Sequence, residues 1–395
     1  MRLPLLMVTI LIIVNLSIDY YIWWTLRRRY PQRTWSKIQL WSAVAINLFL
    51  LIVLSVPHRT GEDSQLRFIM WSLFSYLTIY AAKLIFLICD AISLLPKIWH
   101  SKRWKWLTPT GAILGLFCFL TMWYGALINR YSIDVNEVTV EIKDLSKAFD
   151  GYRIVQISDF HVGTYGNDTT FVHQVVERIN SLHPDAVLFT GDIVNRHAQE
   201  LQPFIKTLSQ VKAPGGVYAI LGNHDYGSYY DCDSPIHKDN DRQLLLSSFS
   251  DMGWDLILND HRWLVNSNDS LALIGVENIG DPPFKVYGDL EVAYPDTGDS
   301  HAKILLTHNP AHWENDIADH PDQNIALTLS GHTHAMQMQV GSISPASLRY
   351  KYWGGLYHDS QGQQLYVNIG LGAVGLPMRI GATPEITVIT LRPKK

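Results

Sequence analysis

Four stretches in the first third of the chain are apolar with few interruptions: residues 3–26, 38–56, 68–95 and 107–128. About 20 such residues cross a bilayer core as a helix, so the pattern predicts four membrane spans. Arg27, Arg28 and Arg29 close the first stretch and no small-residue cleavage site follows it, which fits an anchor rather than a removable signal peptide. After Arg130 the rhythm shortens. Residues 138–145 alternate apolar and polar, as a half-buried strand does. Short Leu-rich or β-branched runs follow at 152–158, 186–190, 217–221, 271–276, 304–307, 325–330, 365–369 and 386–391, and these read as strands buried on both faces. Helix-spaced apolar residues fall between them at 170–182, 199–211, 242–252 and 311–318. The expectation is a transmembrane region over 1–130 and an α/β domain over 131–395.

Charge divides along the same line. Residues 1–130 hold 14 Lys or Arg against 4 Asp or Glu, and the remainder holds 18 against 32. So acidic a remainder excludes an extended nucleic-acid partner, which would need clustered basic side chains. The first loop between spans carries Arg27, Arg28, Arg29, Arg33 and Lys37, and the third carries Lys97, Lys102, Arg103 and Lys105. In the second, Arg59 and Arg67 are offset by Glu62 and Asp63. Basic loops stay cytoplasmic, so both ends of the chain, and with them the α/β domain, are expected on the outer side. Asp19, Lys83 and Asp90 lie within spans. Ionisable groups there need partners, and a pairing network inside the bundle is expected; a transporter or sensor is the alternative reading of the same residues. Cys89, Cys118 and Cys232 are too dispersed to form a disulfide framework.

Five of the apolar runs end in polar residues of one chemical kind: Ser158-Asp159-Phe160-His161, Thr190-Gly191-Asp192, Gly222-Asn223-His224-Asp225, Thr307-His308-Asn309-Pro310 and Ser330-Gly331-His332-Thr333-His334. In an open α/β sheet, binding sites form beyond the carboxyl ends of the strands, so these segments can converge although they are far apart in sequence. Carboxylate, imidazole and amide without thiolate favour Mn, Fe, Zn or Co over a soft metal or an all-oxygen calcium cage. Seven potential ligands exceed one tetrahedral ion, whereas two ions about 3.5–4 Å apart, bridged by a carboxylate, would use them all. The surplus positive charge of such a pair would seat a phosphate inside an otherwise acidic domain.

These motifs resemble the calcineurin-like metallophosphoesterase superfamily, whose pattern is D-x-H, G-D, G-N-H-[DE], H and G-H-x-H. The residues from Val138 onward carry the likeness, and Gly354-Gly355-Leu356-Tyr357 and residues 375–386 are similar to its membrane-associated bacterial branch. The resemblance implies a four-layer α/β/β/α sandwich. Carried over by motif, it implies that Asp159, His161, Asp192 and His334 hold one ion and that Asp192, Asn223, His308 and His332 hold the other. A hydroxide between the ions would attack phosphorus, with His224 protonating the leaving oxygen and Asp225 orienting its ring. Asn309 and Arg379 are candidate phosphate contacts, and the remaining histidines of the acidic part are expected on surfaces or helix faces. The function expected is hydrolysis of a phosphate ester, a phosphodiester or a lipid-linked phosphate, at the membrane.

Overall fold

The computed structural model describes residues 5–30, 34–57, 59–231, 235–280, 285–295, 302–318, 320 and 323–394; Cys232 lies outside them. The chain divides into two compact units, Met1–Ala126 with Gly375–Pro377, and Leu127–Val374 with Met378–Lys395.

In the first unit, helices α1 (Leu5–Arg29), α2 (Thr34–Ser55), α3 (Asp63–Ile92) and α4 (Leu107–Leu127) take up the four apolar stretches, and all four are long and apolar enough to cross a membrane. Their outward side chains are apolar: Ile13, Leu48 and Phe117 are all exposed. Polar groups collect inside. Asp19 accepts from Lys83 Nζ (2.7 Å), Tyr80 Oη (2.7 Å), Gln39 Nε2 (3.0 Å) and Asn47 Nδ2 (3.3 Å), tying α1 to α2 and α3. Asp90 accepts from Arg103 (2.6 Å), Thr108 Oγ1 (2.6 Å) and Tyr21 Oη (2.8 Å). A buried charge in an apolar medium persists only when it is paired and hydrogen-bonded, and each carboxylate here is both.

The second unit carries two six-stranded sheets. The first contains β1 (Asp134–Ile142), β2 (Arg153–Ile157), β3 (Ala186–Phe189), β4 (Val217–Ala219), β5 (Asp255–Leu256) and β12 (Glu385–Pro393), in the order β1-β12-β2-β3-β4-β5. The second contains β6 (Asp260–Asn266), β7 (Asp269–Gly275), β8 (Lys303–Leu306), β9 (Ile325–Ser330), β10 (Gly355–His358) and β11 (Gln364–Val367), in the order β10-β11-β9-β8-β7-β6. Alternate residues of a strand point to opposite faces. Ile154 and Leu188 therefore meet Leu273, Ile304 and Leu327 between the sheets. Their neighbours Val155 and Val187 pack outward against Val172 and Val176 of α5 (Thr170–Ser181) and Phe249 of α7 (Pro235–Met252). On the far side, Ile274, Leu305 and Ile325 pack against Trp313, Ile317 and Ala293 of α8 (Leu290–Ala293). Each such side chain contributes roughly 1.5–3 kcal/mol on burial, and the result is the four-layer α/β/β/α sandwich.

Departures from the expected elements have local causes. β6 and β10 are antiparallel edge strands and β5 is two residues long, so none needs an apolar run. Pro203 sits in a 3-10 stretch, Ala198–Phe204, that leaves only α6 (Ile205–Leu208) of the helix expected over 199–211, because proline removes a donor from a regular helix. The segment read as a helix over 311–318 contains a π-turn, Trp313–Ile317.

Candidate metal centre

Each of the five polar segments leaves the carboxyl end of a strand: β2, β3 and β4 in one sheet, β8 and β9 in the other. These strands run parallel to their neighbours within each set, so their ends lie side by side. Hydrogen bonds tie neighbouring ends within each sheet, and two more, from Gln156 and His332, cross between the sheets. Asp159 N donates to Gly191 O (2.9 Å), Gly331 N to His308 O (3.0 Å), Gln156 Nε2 to Ser330 O (2.9 Å) and His332 N to Asp159 Oδ2 (3.0 Å).

The chain turns inward at this edge by an unusual backbone. Asp159 (φ 51°), His161 (45°), Asp192 (61°), His332 (74°) and His334 (51°) all lie in the left-handed region, which costs a non-glycine residue roughly 1–2 kcal/mol each. Close packing holds them there. A Cβ at Gly222 would collide with Asp192 Oδ1, and one at Gly331 with Ser158 Oγ and Asp159 Oδ2.

Two groups of three ligand atoms result, Asp159, His161 and His334, and Asp192, His308 and His332, and within each group the atoms lie within 4.8 Å of one another. His161 Nε2 is 3.1 Å from His334 Nε2, which is 3.2 Å from Asp159 Oδ1. His308 Nε2 is 3.3 Å from His332 Nδ1 and 3.1 Å from Asn223 Oδ1. Asp192 Oδ2 faces both groups, 3.6 Å from His161 Nε2 and 3.2 Å from His308 Nε2. All seven ligands read from the sequence are thus brought together.

The ring tautomers suit cations. His161 Nδ1 lies 3.1 Å from Val194 O and His308 Nδ1 lies 2.8 Å from Thr190 O. A carbonyl only accepts, so each Nδ1 carries a proton and leaves the Nε2 lone pair for the centre, the usual support of a metal-bound imidazole. Electrostatics point the same way. Burial alone would lower the His308 ring, yet the facing carboxylates of Asp192 and Asp159 raise it to about 10. Burial works to raise Asp159 and Asp192, but the rings of His334 and His308 hold both carboxyls below their ordinary value. Burial and the neighbouring His308 push His332 down to about 3. The two carboxylates that raise His308 are thus a negative seat that a divalent cation would fill.

Several roles implied by the motifs change on contact with the geometry. Asp225 does not touch the ring of His224: its carboxylate accepts from the backbone N–H groups of Asp192 (2.8 Å), Gly222 (2.9 Å), Ile193 (3.0 Å) and Val194 (3.2 Å), clamping two site loops together. The ring is oriented instead by Asn195 O, 2.7 Å from His224 Nδ1. Asn309 is buried and its Oδ1 accepts from Ala311 N (3.0 Å), an Asx turn. Arg379 is fully buried, with its donors on Gly372 O (2.7 Å), Ile369 O (2.9 Å) and Ala382 O (3.0 Å), so it fastens a loop and backs His334 Nδ1 at 3.2 Å. His312 is not on the surface: it is buried against Thr307 Oγ1 at 3.0 Å, and burial holds its ring down to about 4.

Sequence reasoning missed three further neighbours. Ser158 Oγ donates to Asp159 Oδ2 at 2.5 Å. Tyr229 stacks on His224 with ring centroids 4.1 Å apart and its hydroxyl oxygen accepts from Asn223 Nδ2 at 2.9 Å, while Tyr350 Oη lies 3.4 Å from His332 Nε2. The sequence carried a signal for two of them, the adjacency of Ser158 to Asp159 and the place of Tyr229 just after Gly222-Asn223-His224-Asp225.

Residues 152–336 match the family model for calcineurin-like phosphoesterases, and residues 1–130 match one described as a probable calcineurin-like phosphoesterase transmembrane domain. The chain is 32% identical over 278 residues to an uncharacterized metallophosphoesterase, YkuE, of Bacillus subtilis, a match covering 68% of this chain and 89% of that protein. It is also 32% identical over 276 residues to a zebrafish (Danio rerio) transmembrane protein with a metallophosphoesterase domain, covering 68% of this chain and 60% of that relative's length. A phosphopantetheinyl hydrolase structure from Mycobacterium tuberculosis overlaps 58% of this chain and 91% of its own, at 14% identity and a TM-score of 0.33. With four membrane helices ahead of the sandwich, this chain is an integral membrane protein and belongs to the calcineurin-like metallophosphoesterase family.

Proposed function

We propose that the protein hydrolyses a phosphate ester at the membrane using two divalent transition-metal ions, one held by Asp159, His161, Asp192 and His334, the other by Asp192, Asn223, His308 and His332. The observation that carries this reading is Asp192 Oδ2, a single carboxylate oxygen facing His161 Nε2 at 3.6 Å and His308 Nε2 at 3.2 Å. Ions of Mn, Fe or Zn would supply Lewis acidity and a water of lowered pKa.

The chain's own groups do the rest. As an imidazolium, His224 would spend its Nδ1 proton on Asn195 O and keep its Nε2 proton for the leaving oxygen. Its backbone N–H donates to Asp192 Oδ1 at 2.8 Å, so acid and bridging carboxylate are held in one frame. Asp225 contributes by fixing the two loops that carry them. A membrane anchor supports a substrate that shares the bilayer, a phosphodiester or lipid-linked phosphate, and the basic loops at 27–37 and 97–105 support a catalytic domain on the outer side. Against a transporter or sensor stands the pairing of Lys83 with Asp19 and of Asp90 with Arg103, which neutralises those groups inside the bundle.

Purified protein supplied with Mn should turn over a phosphodiester with an alkoxide leaving group, and His224→Ala should slow it without removing metal. No turnover by the wild type, or equal turnover by the variant, removes the enzyme reading. Separately, a reporter fused to the C-terminus that is active only in the cytoplasm would reverse the sidedness.

A further inference from the structure

Between His334 and Arg349 lie 14 residues, 335–348, without an Asp, Glu, Lys, Arg or His, in the part of the chain that otherwise carries most of the acidic groups. A charge-free run of this length in such a domain would ordinarily be packed inside. Here its large apolar members point to solvent: Leu348 is 91% exposed, Val340 79%, Ile343 73%, Met336 42% and Met338 39%.

The segment is also shaped. Val340 and Ile343 exchange both backbone hydrogen bonds (2.9 and 3.1 Å) across Gly341 and Ser342, which makes a two-residue hairpin tip with Gly341 at φ 60°. Directly opposed residues of such a pair share a face, and Met338, two positions before Val340, joins them. The base is pinned by Gln339 N on Ile380 O (2.8 Å) and by Ser344 Oγ on Ala335 O (2.6 Å). Its two roots lie in the metal centre, at His334 and at Tyr350, whose hydroxyl meets His332 Nε2. Exposed Arg349 stands at the second root, beside Lys351, whose Nζ pairs with Glu314 Oε1 at 3.3 Å.

A hydrogen-bonded apolar tip without charge, with an arginine at its root, is the chemistry of a surface that enters the acyl boundary of a bilayer beneath anionic headgroups. The chain's four membrane helices keep a bilayer permanently within reach of this domain. We infer that the 336–348 hairpin inserts into the lipid surface and presents the metal centre to phosphate esters at headgroup level. The insertion stands by itself; only its consequence for substrate choice rests on the hydrolase reading.

The test uses the full chain in nanodiscs of zwitterionic and anionic lipid, with Cys89, Cys118 and Cys232 replaced by alanine and single cysteines introduced as Val340→Cys, Ile343→Cys or Leu348→Cys. A polarity-sensitive fluorophore at these positions should emit to the blue and be quenched by lipids bearing spin labels on their chains. The same probe at Glu177→Cys, an exposed position on α5, should do neither. Water-like emission at all three hairpin positions would overturn the inference. So would a blue shift that ignores lipid quenchers and vanishes on dilution, which would assign the patch to a second copy of the chain. A Val340→Ser/Ile343→Ser/Leu348→Ser variant should keep its turnover of a soluble diester and lose about tenfold or more on a bilayer-embedded one. Because the fluorescence needs no turnover, its failure and failure of the hydrolase reading are told apart.

Discussion

Both units bury carboxylates, and they neutralise them in opposite ways. In the membrane bundle each is answered by a fixed cation from its own chain: Lys83 for Asp19 at 2.7 Å and Arg103 for Asp90 at 2.6 Å. In the sandwich, Asp159 and Asp192 are buried beside each other, and among the described residues their ion-pair partners are histidine rings. A lysine or arginine closes the account permanently. An imidazole can hand its place to a metal ion by losing a proton, so the second arrangement stays open to a ligand. The contrast separates charge used to hold helices together from charge kept for chemistry.

The sharpest way to break the comparison is Asp192→Asn. Without the oxygen that faces both groups, turnover should fall by at least about a thousandfold and bound metal, read by elemental analysis, should fall with it. Retained metal and activity would mean that the two groups are not one centre. Next in size, His224→Ala should cost roughly 10²–10⁴ in rate with an alkoxide leaving group and much less with a nitrophenolate, which needs no proton. Metal content should not change, and Tyr229→Phe should leave the leaving-group dependence in place if its stacking is all that matters.

Much of this was readable in advance, and where it was not there is a physical reason. The central strands announced themselves because both faces are buried, and the ligands because each ends such a strand. Edge strands β6 and β10 carry no such demand and were invisible. So were the roles of Asp225, Asn309 and Arg379, whose partners are backbone groups. A motif names side chains; it does not say that Asn195 will supply a carbonyl or that an arginine will be consumed by a loop.

On the bundle side, Lys83→Met should destabilise the protein in detergent by about 3–5 kcal/mol, because it strands a buried Asp19, and adding Asp19→Asn should recover most of the loss. Thermal unfolding of the two singles and the double reads the coupling; strict additivity would show that the pair does not act as one. The smallest effect concerns two histidines four residues apart. Carboxylates raise His308 to about 10, whereas burial lowers His312 to about 4. A ring depressed in the folded state binds fewer protons than in the unfolded chain, so its contribution is intact above about pH 6.5 and is lost as pH falls toward 4. His312→Gln should flatten that acid limb by up to about 3 kcal/mol in denaturant titrations of the metal-loaded protein. An unchanged limb would place the sensitivity elsewhere.

Three imidazoles at the centre take their bearing from peptide oxygens, those of Thr190, Val194 and Asn195. An alanine scan would leave all three oxygens where they are and report these positions as tolerant at the rings. A single-residue insertion or deletion between 190 and 195 would swing all three together. For these three rings the vulnerability therefore lies in the length and path of one six-residue turn more than in the side chains of Thr190, Val194 and Asn195.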